Sequence, residues 1–322
     1  MDNIKLIVSS TPHIRANNSV DDIMLDVILA LMPAAFAGVL FFGARALAVT
    51  VLSVISCVAF EALYEIIAKK RVTVKDLSAV VTGMLLAFAL PPTVPYYAVV
   101  IGAFAAIVIT KQLFGGIGQN FMNPALIGRA FLMASFPAAM TSFTTERLGI
   151  FEKTADVVTS ATRLSPMAAL SSANPPALRE LFIGRMADGT ALGGCIGETC
   201  SAAILLGLVY LVARRVISLR IPLTYMGSMM LMAMIFGRNP FEALFTGGVM
   251  LAAVFMATDY VTTPTTAWGQ LIFGCGCGII TSVIRFWGGY PEGVTYAILL
   301  MNILTPLLDR WTVPKLAGGK KS

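Results

Sequence analysis

Long apolar runs recur along almost the whole chain, and they constrain its fold more than any other feature. About ten of them alternate with short polar or basic stretches, and several are long enough to cross a bilayer as a helix. Of the 322 residues, 57% are hydrophobic and 12% are charged, against about 25% charged residues in soluble domains. Such a chain cannot cover its surface with polar groups in water. Residues 1–322 are therefore predicted to form one all-α integral membrane domain.

The predicted membrane segments are interrupted by one long gap. Residues 1–22 form a lead-in, residues 141–192 a long polar loop, and residues 309–322 a tail. The first apolar run is about long enough to span a bilayer, so we expect it to remain as a helix rather than to be cleaved as a signal peptide. The ten segments cover approximately residues 23–42, 46–67, 77–90, 96–110, 122–140, 193–213, 222–236, 241–257, 268–287 and 294–308.

Basic clusters set the predicted orientation. One cluster, Lys69–Lys75, directly follows the second segment, and another, Arg214–Arg220, follows the sixth. Loops rich in Lys and Arg stay on the cytoplasmic side of a membrane. With ten crossings, this rule places both termini in the cytoplasm and residues 141–192 outside it. The inverted arrangement would put both clusters outside, so we reject it.

Composition narrows the classes of function. The net charge of +6 is explained by membrane topology, and no basic patch interleaved with aromatic residues suggests nucleic-acid binding. None of the five cysteines forms a Cys-x-x-Cys pair. Cys275 and Cys277 are more simply packed thiols than an iron–sulfur or copper ligand pair, although that alternative stays open. With His13 as the single histidine, we predict neither a metal site nor catalytic residues.

Several predicted segments are short or broken by glycine, such as 77–90 and the Gly274–Gly278 run. Irregular backbone at membrane depth is tolerated where it is buried in protein or lines a wet cavity. Segments three to five and seven to nine also share a loose pattern, compatible with an internal duplication or with chance similarity of apolar sequences.

Ionisable side chains inside membrane segments are often functional. Asp26, Glu61 and Glu65 are expected at the membrane interface, whereas Arg129 lies deeper and suits either a pocket or an ion pair. Asp259 opens a hydroxyl-rich loop. The candidates are Asp26, Glu61, Glu65, Arg129, Glu242 and Asp259.

The long loop contains a short run of small hydroxyl residues that ends at Thr162. A threonine hydroxyl forms a stable phosphoester, and its small neighbours Ser160 and Ala161 leave it accessible to a modifying enzyme. Asp156 could position the segment or a metal used during transfer. Arg163 could balance a phosphate charge or lie at the membrane interface. From the residues alone, a solvated loop is the simpler explanation of this run, because loops rich in Ser and Thr are common.

A resemblance sharpens this interpretation. Asp156, Thr159, Ser160, Ala161 and Thr162, followed by Leu164, resemble the acceptor motif of bacterial flavin transferases. In that motif FMN is joined through its phosphate to the last threonine. The resemblance therefore implies covalent FMN on Thr162. Val157 departs from the glycine or alanine that is common at its position.

The likeness extends over nearly the whole chain. The Gly115–Asn120 loop, Asn123-Pro124 and the Gly289–Val294 run with Asn302 and Asp309 are similar to the NqrB/RnfD family. This resemblance implies a bundle like that of urea and ammonium transporters. It implies an electron-transfer subunit of a redox-driven Na⁺ or H⁺ pump in the bacterial inner membrane. The partners would be the other Rnf subunits (A, B, C, E and G), a flavin transferase and membrane lipid, and the cofactors FMN and a second, non-covalent flavin, riboflavin.

Two functions from different classes follow. A tethered organic cofactor suits a chain with one histidine and no haem motif, because the cofactor carries out the redox chemistry and the protein positions it. A solute channel or transporter of the urea-transporter type also suits the broken segments. That alternative has no use for the run ending at Thr162, so we prefer the first.

Overall fold

The computed structural model describes residues 19–70, 73–150, 177–186, 191–288 and 293–313. These residues are mostly helical and contain no strand, only an isolated bridge between Arg185 and Ala191. The predicted all-α class is confirmed for this part of the chain. The helices are α1 (Val20–Phe42), α2 (Ala44–Ile67), α3 (Ser78–Phe88), α4 (Tyr96–Phe104), α5 (Pro124–Ser135), α6 (Pro137–Met140), α7 (Leu178–Ile183), α8 (Ser201–Ala213), α9 (Arg220–Ile235), α10 (Pro240–Phe245), α11 (Val249–Leu251), α12 (Ala267–Trp287) and α13 (Val294–Thr312).

Two of these helices continue as π-helical turns. α4 runs on through Ala105–Gln112, and α11 runs on through Ala252–Met256. Three helices, α1, α2 and α12, are long and apolar enough to cross a membrane, and shorter apolar helices accompany them. Many apolar side chains on the long helices are exposed, such as Phe36 at 67% and Ile55 at 60%. An outer surface of this kind is suited to lipid.

Three predicted segments are shorter as helices than the sequence suggested. The segment 241–257 is broken between α10 and α11, where Gly247 and Gly248 both have positive φ angles. The segment 122–140 is interrupted at Phe136, directly before a proline. The first residues of the segment 193–213 form a loop rather than a helix. Hydropathy alone could not reveal these breaks, because apolar residues continue through them.

The two half-length helices α3 and α11 have matching environments. Each begins after a residue in the left-handed conformation, Leu77 (φ 59°) or Gly248 (φ 70°). Beyond the end of α3, the carbonyls of Phe88 and Leu90 accept the N–H groups of Gly197 and Ile196. The carbonyl of Met256, at the end of the π-helical turn after α11, accepts Nδ2 of Asn123. Each broken helix is thus capped by a loop from the other half of the molecule, which satisfies backbone groups that lipid could not.

The packing is repeated in the two halves. In the first half α2 packs on α3 and α4, and in the second half α9 packs on the turn after α11 and on α12. The pairs α4–α5 and α12–α13 correspond likewise, and the two halves meet where α1 packs on α8. The expected duplication is therefore present in the packing but shifted. Segments three to five correspond to eight to ten, rather than to seven to nine.

The helix ends gather at two ends of the bundle. At one, Arg214 bonds to Asp26, and Thr265 bonds to Asp309. We call this the basic end, because Lys69, Lys75, Lys111 and Arg214 lie there. The opposite end contains other contacts, which include Arg45 to Pro92, Thr93 to Ser142 and Leu148 to Phe42. This grouping agrees with the predicted alternation of segment directions.

Candidate functional site

A cavity opens at the basic end, between the two halves of the molecule. Its volume is about 800 Å³, which includes space that is open to solvent. Most of its wall is apolar, from α1, α3 and the loop after α8, with a few polar groups between them. The polar lining residues are Ser78, Thr82, Lys111, Asn120, Asn123, Thr258, Asp259 and Tyr260.

Asn123 holds the cavity wall in place from both halves. Its Oδ1 accepts the N–H groups of Ala125 (3.0 Å) and Leu126 (3.3 Å), which caps the start of α5. Its Nδ2 donates to the Met256 carbonyl at 3.1 Å. The positive end of the α5 dipole therefore faces the cavity, where it favours electron-rich groups. The prediction from sequence used Asn123 only as part of a motif and gave it no structural role.

Asp259 lies on the same wall, half-buried because it faces the cavity. Burial among protein groups raises its pKa, although hydrogen bonds from Thr262 and the Val261 backbone oppose that shift. Its neighbours in the hydroxyl-rich loop are bonded within the fold. Thr263 donates to the Asp259 carbonyl at 2.8 Å, and Thr266 pairs with Thr312. These hydroxyls stabilise the loop, which leaves the Asp259 carboxylate as its group at the cavity.

The expectation for Glu61 and Glu65 is wrong. Glu61 is fully buried, and its Oε1 accepts Lys111 Nζ at 2.6 Å and Gln112 Nε2 at 2.8 Å. Glu65 is 3% exposed and accepts the N–H of Thr73 at 2.9 Å. Neither carboxylate reaches into the interface, because each has a partner inside the protein. The partner of Glu61 lies 50 residues away, so spacing along α2 could not reveal it.

The remaining charged candidates have separate roles. Asp26 is 6% exposed and is bonded by Tyr210 and Arg214 at the end of α8. Arg129 is 4% exposed and donates to Cys195 Sγ at 3.7 Å. Glu242 is exposed in the first turn of α10. None of these three lines the cavity.

The two close cysteines differ in exposure. Cys277 is buried and Cys275 is exposed. In a helix, residues two apart lie on different faces. The two thiols therefore do not form a common ligand pair, which favours the prediction of packed side chains.

The predicted flavin site lies outside the described residues. This holds for its candidate residues Asp156, Thr159, Ser160, Ala161, Thr162 and Arg163. The residue before the gap, Ile150, is at the opposite end, where its carbonyl accepts the Tyr96 hydroxyl at 2.5 Å. A pocket of about 580 Å³ also opens at that end, with Arg147 and Arg185 on its wall.

The fold defines a class: multi-pass helical membrane proteins with two broken helices and a mainly apolar cavity between duplicated halves. A family model described as "NQR2, RnfD, RnfE family" matches residues 7–318. The chain belongs to this family, and the predicted resemblance to the NqrB/RnfD family is confirmed.

The chain is similar to known proteins over almost its full length. The chain is 47% identical to the D component of the Na⁺-translocating ferredoxin:NAD⁺ oxidoreductase complex of Acetobacterium woodii, covering 100% of this chain and 98% of that protein. It is 43% identical to the D component of the proton-translocating ferredoxin:NAD⁺ oxidoreductase complex of Clostridium ljungdahlii, with 98% and 96% covered. It is 34% identical to the D component of the ion-translocating oxidoreductase complex of Mannheimia succiniciproducens, with 97% of each covered. The expected kinship with subunits of ion-translocating oxidoreductases is confirmed.

Proposed function

We propose that this chain is the electron-transfer membrane subunit of a redox-driven ion pump that couples ferredoxin oxidation by NAD⁺ to Na⁺ or H⁺ movement. The observation that carries the proposal is the end-to-end identity with the two relatives named for that reaction. In this proposal the chain lies in the bacterial inner membrane with both termini in the cytoplasm. It assembles with the other Rnf subunits (A, B, C, E and G). One relative is named for Na⁺ and the other for protons. Similarity to these relatives therefore does not identify the ion that is moved.

The first redox centre in this proposal is FMN, joined to Thr162 by a phosphoester that a flavin transferase makes. The motif of Asp156, Thr159, Ser160 and Ala161 supports this assignment, and Arg163 lies next to the acceptor in the sequence. The loop leaves the bundle at the opposite end from the basic clusters. By the rule that basic loops stay inside, the flavin would then lie outside the cytoplasm.

The pocket at the opposite end suits such a group. Its wall combines Leu40 and Phe41 with two basic residues, Arg147 and Arg185, and one acidic residue, Glu146. A phosphodiester carries a negative charge that arginine binds well. FMN would supply one-electron chemistry, while these residues would hold and orient it.

The cavity at the basic end suits the second, non-covalent flavin, riboflavin. Its mainly apolar wall matches a flat, uncharged ring system. Asn120 and Asp259 lie beside each other and offer an amide and a carboxylate to the polar edge of such a ring. Lys111 and the start of α5 add positive charge to the same wall.

Covalent attachment is tested by producing the protein together with its flavin transferase and denaturing it before electrophoresis. We expect a fluorescent band and an intact mass raised by one flavin nucleotide. Thr162→Ala should abolish both. Thr154→Ala, in the same loop but outside the motif, is the matched control and should retain both. Fluorescence that persists in Thr162→Ala would overturn the attachment site.

Orientation is tested with single cysteines on a background that lacks the five native ones. A membrane-impermeant thiol reagent should label Thr154→Cys in intact cells. It should label Ser218→Cys, exposed at the basic end, only after the membrane is opened. The reverse pattern would place Thr162 in the cytoplasm and contradict the proposed arrangement.

The alternative of a solute channel gains no support from the relatives, all three of which are named as components of oxidoreductase complexes. Riboflavin released into the supernatant on denaturation would further favour electron transfer over solute transport.

A further inference from the structure

A buried ion pair stands behind the wall of the cavity at the basic end. Lys111 Nζ lies 2.6 Å from Glu61 Oε1 and 2.6 Å from Ser78 Oγ. The lysine side chain is 3% exposed and the glutamate side chain 0%. Lys111 and Ser78 line the cavity, and Glu61 does not. The ammonium group therefore separates the carboxylate from whatever binds in the cavity.

The hydrogen bonding of the carboxylate is incomplete. Glu61 Oε1 accepts Lys111 Nζ and Gln112 Nε2, whereas the buried Oε2 has no hydrogen-bond partner among the described residues. An ionised carboxylate in an apolar interior is stable only while it is paired. Glu61 therefore depends on Lys111 for its charge.

Other charges around Glu61 increase this dependence. Glu65, one turn further along α2, and Asp76, before α3, both repel a negative charge on Glu61. The thiol of Cys57, one turn earlier, is buried. Lys111 is thus the cation that these elements supply to the site.

A hydrogen-bonded chain links Glu61 to the protein surface. Lys111 Nζ donates to Ser78 Oγ, and Ser78 Oγ donates to Asp76 Oδ1 at 2.6 Å. Asp76 is half-buried at the basic end. Each donor in this chain points outward, from Lys111 towards Asp76. Hydrogen bonds are left in this direction after a proton has moved inward along the chain, because each group then holds the proton that it received from its outer neighbour. Lys111 also lies in the π-helical turn Ala105–Gln112, a feature frequent at functional sites.

We propose that Glu61 takes up one proton from the basic end when negative charge appears in the cavity. Lys111 transfers a proton from Nζ to Glu61 Oε1, which forms a neutral carboxylic acid. The Ser78 hydroxyl rotates and gives its proton to the lysine amine, and Asp76 and water resupply Ser78. One proton has entered, and the charged Lys111 now neutralises the new negative charge instead of Glu61. When that charge leaves, Lys111 pairs with Glu61 again and the proton returns by the same chain.

The chemistry of the site selects a proton rather than a metal cation. The groups within bonding distance of Glu61, namely Lys111 Nζ and Gln112 Nε2, are both donors. Sodium requires several oxygen ligands, and the ammonium group would repel it. A proton needs only the carboxylate itself.

The inference rests on the proposed function, because the negative charge would come from an electron that reaches a flavin in the cavity. It is tested by infrared difference spectroscopy on the whole complex, with the flavin absorbance recorded in the same cell during reduction. We expect a C=O stretching band of a protonated carboxylic acid to appear on reduction and to shift in D₂O.

Glu61→Gln should remove this band, and Glu242→Gln, an exposed glutamate on α10, should leave it unchanged. Lys111→Met should also remove it from the difference spectrum, because an unpaired Glu61 is already protonated in the oxidised state. Should Glu61→Gln fail to assemble, Glu61→Asp keeps an acid whose band must move in frequency. A band that is unchanged in either Glu61 variant would overturn the proposal.

The same experiment distinguishes failure of the role of Glu61 from failure of the proposed electron-transfer function. Reduction that bleaches a flavin without producing the band would remove the role of Glu61 and leave electron transfer intact. A complex in which no flavin absorbance changes would instead contradict the proposed function itself.

Discussion

Lys111 and Arg285 occupy equivalent places in the two halves of the molecule but make different contacts. Lys111 precedes Gly115-Gly116 by four residues, and Arg285 precedes Gly288-Gly289 by three. The π-helical turn that contains Lys111 explains the extra residue, because such a turn inserts one residue into a helix. Arg285 donates to the carbonyls of Ala243 (2.8 Å) and Gly247 (3.0 Å). Lys111 instead reaches a buried carboxylate.

This difference shows which of the two contacts consists of groups that can gain and lose a proton. An arginine does not lose its proton in proteins, and backbone carbonyls do not gain one. A lysine beside a glutamate can do both, particularly in a desolvated site. Both cations stabilise the start of a broken helix. The cation beside the cavity at the basic end has a titratable partner as well.

The largest expected effect is on stability, when the ion pair of Lys111 with Glu61 is removed. Lys111→Met leaves Glu61 buried without its counter-ion, and removing one partner of a buried pair costs about 3–5 kcal/mol. We expect a loss of this size in the free energy of unfolding, measured by denaturant titration in detergent. The double variant Lys111→Met with Glu61→Gln should recover most of it, because a glutamine, unlike an unpaired Glu61, does not have to take up a proton on folding. Arg285→Met is the matched control and should lose clearly less, since its acceptors are neutral. Equal losses for the two single variants would show that the halves do not differ.

A second prediction compares two helices that begin at an Asn-Pro pair, one in each half of the molecule. Asn123 caps α5 while buried and also bonds to Met256, whereas Asn239 caps α10 at an exposed position. Losing a cap costs about 1 kcal/mol, and leaving a buried carbonyl unpaired adds roughly 1–3 kcal/mol. Asn123→Ala should therefore destabilise the protein two to four times as much as Asn239→Ala in the same denaturant assay. Similar values would mean that the Met256 contact contributes little.

A third prediction uses pH and concerns the cavity wall. Burial raises the pKa of Asp259 in the folded state above its unfolded value. The ionised group therefore destabilises the fold at neutral pH, and this cost disappears as the pH falls through the folded pKa. Asp259→Asn should raise the midpoint of thermal unfolding at neutral pH, and the gain should shrink towards acid pH. A gain that is independent of pH would mean that ionisation of Asp259 is not its cause.

The smallest expected effect is at the contact between Arg214 and Asp26. The Arg214 side chain is 57% exposed, so solvent and salt screen the pair. Arg214→Gln should change the thermal midpoint only slightly, and the change should vanish in high salt. Asp26 keeps its hydrogen bond from Tyr210 at 2.8 Å in that variant. A large, salt-independent loss would show that this surface contact resembles the buried pair of Lys111.

Much of the fold could be predicted from apolar periodicity and basic clusters. The helix positions and the alternation of their directions follow from segment length and from residues such as Lys69 and Arg214. Where the helices break could not be predicted. Apolar residues continue through Gly247 and Gly248, and the loop around Ile196 is as apolar as a helix.

The candidate site was less accessible to sequence reasoning. The contacts of Glu61 with Lys111, and of Asn123 with Met256, join positions 50 and 133 residues apart. No local pattern encodes such pairs. The Asn-Pro dipeptide was a usable signal for a cap, and a lysine within a run of apolar residues was a usable signal for a buried partner. The flavin attachment at Thr162 came from resemblance and stays a prediction.

The reciprocal capping of α3 and α11 has a consequence for ancestry. The loop that closes the end of α3 comes from the second half, and the side chain that closes the end of α11 comes from the first. A half-length precursor could not have completed its own interrupted helix in lipid. It would have required a second copy of itself in the same bilayer. That copy would have had the opposite orientation, because the two halves are offset by five segments that alternate in direction. Fusion of two such genes would have made permanent a dependence that already existed between separate chains.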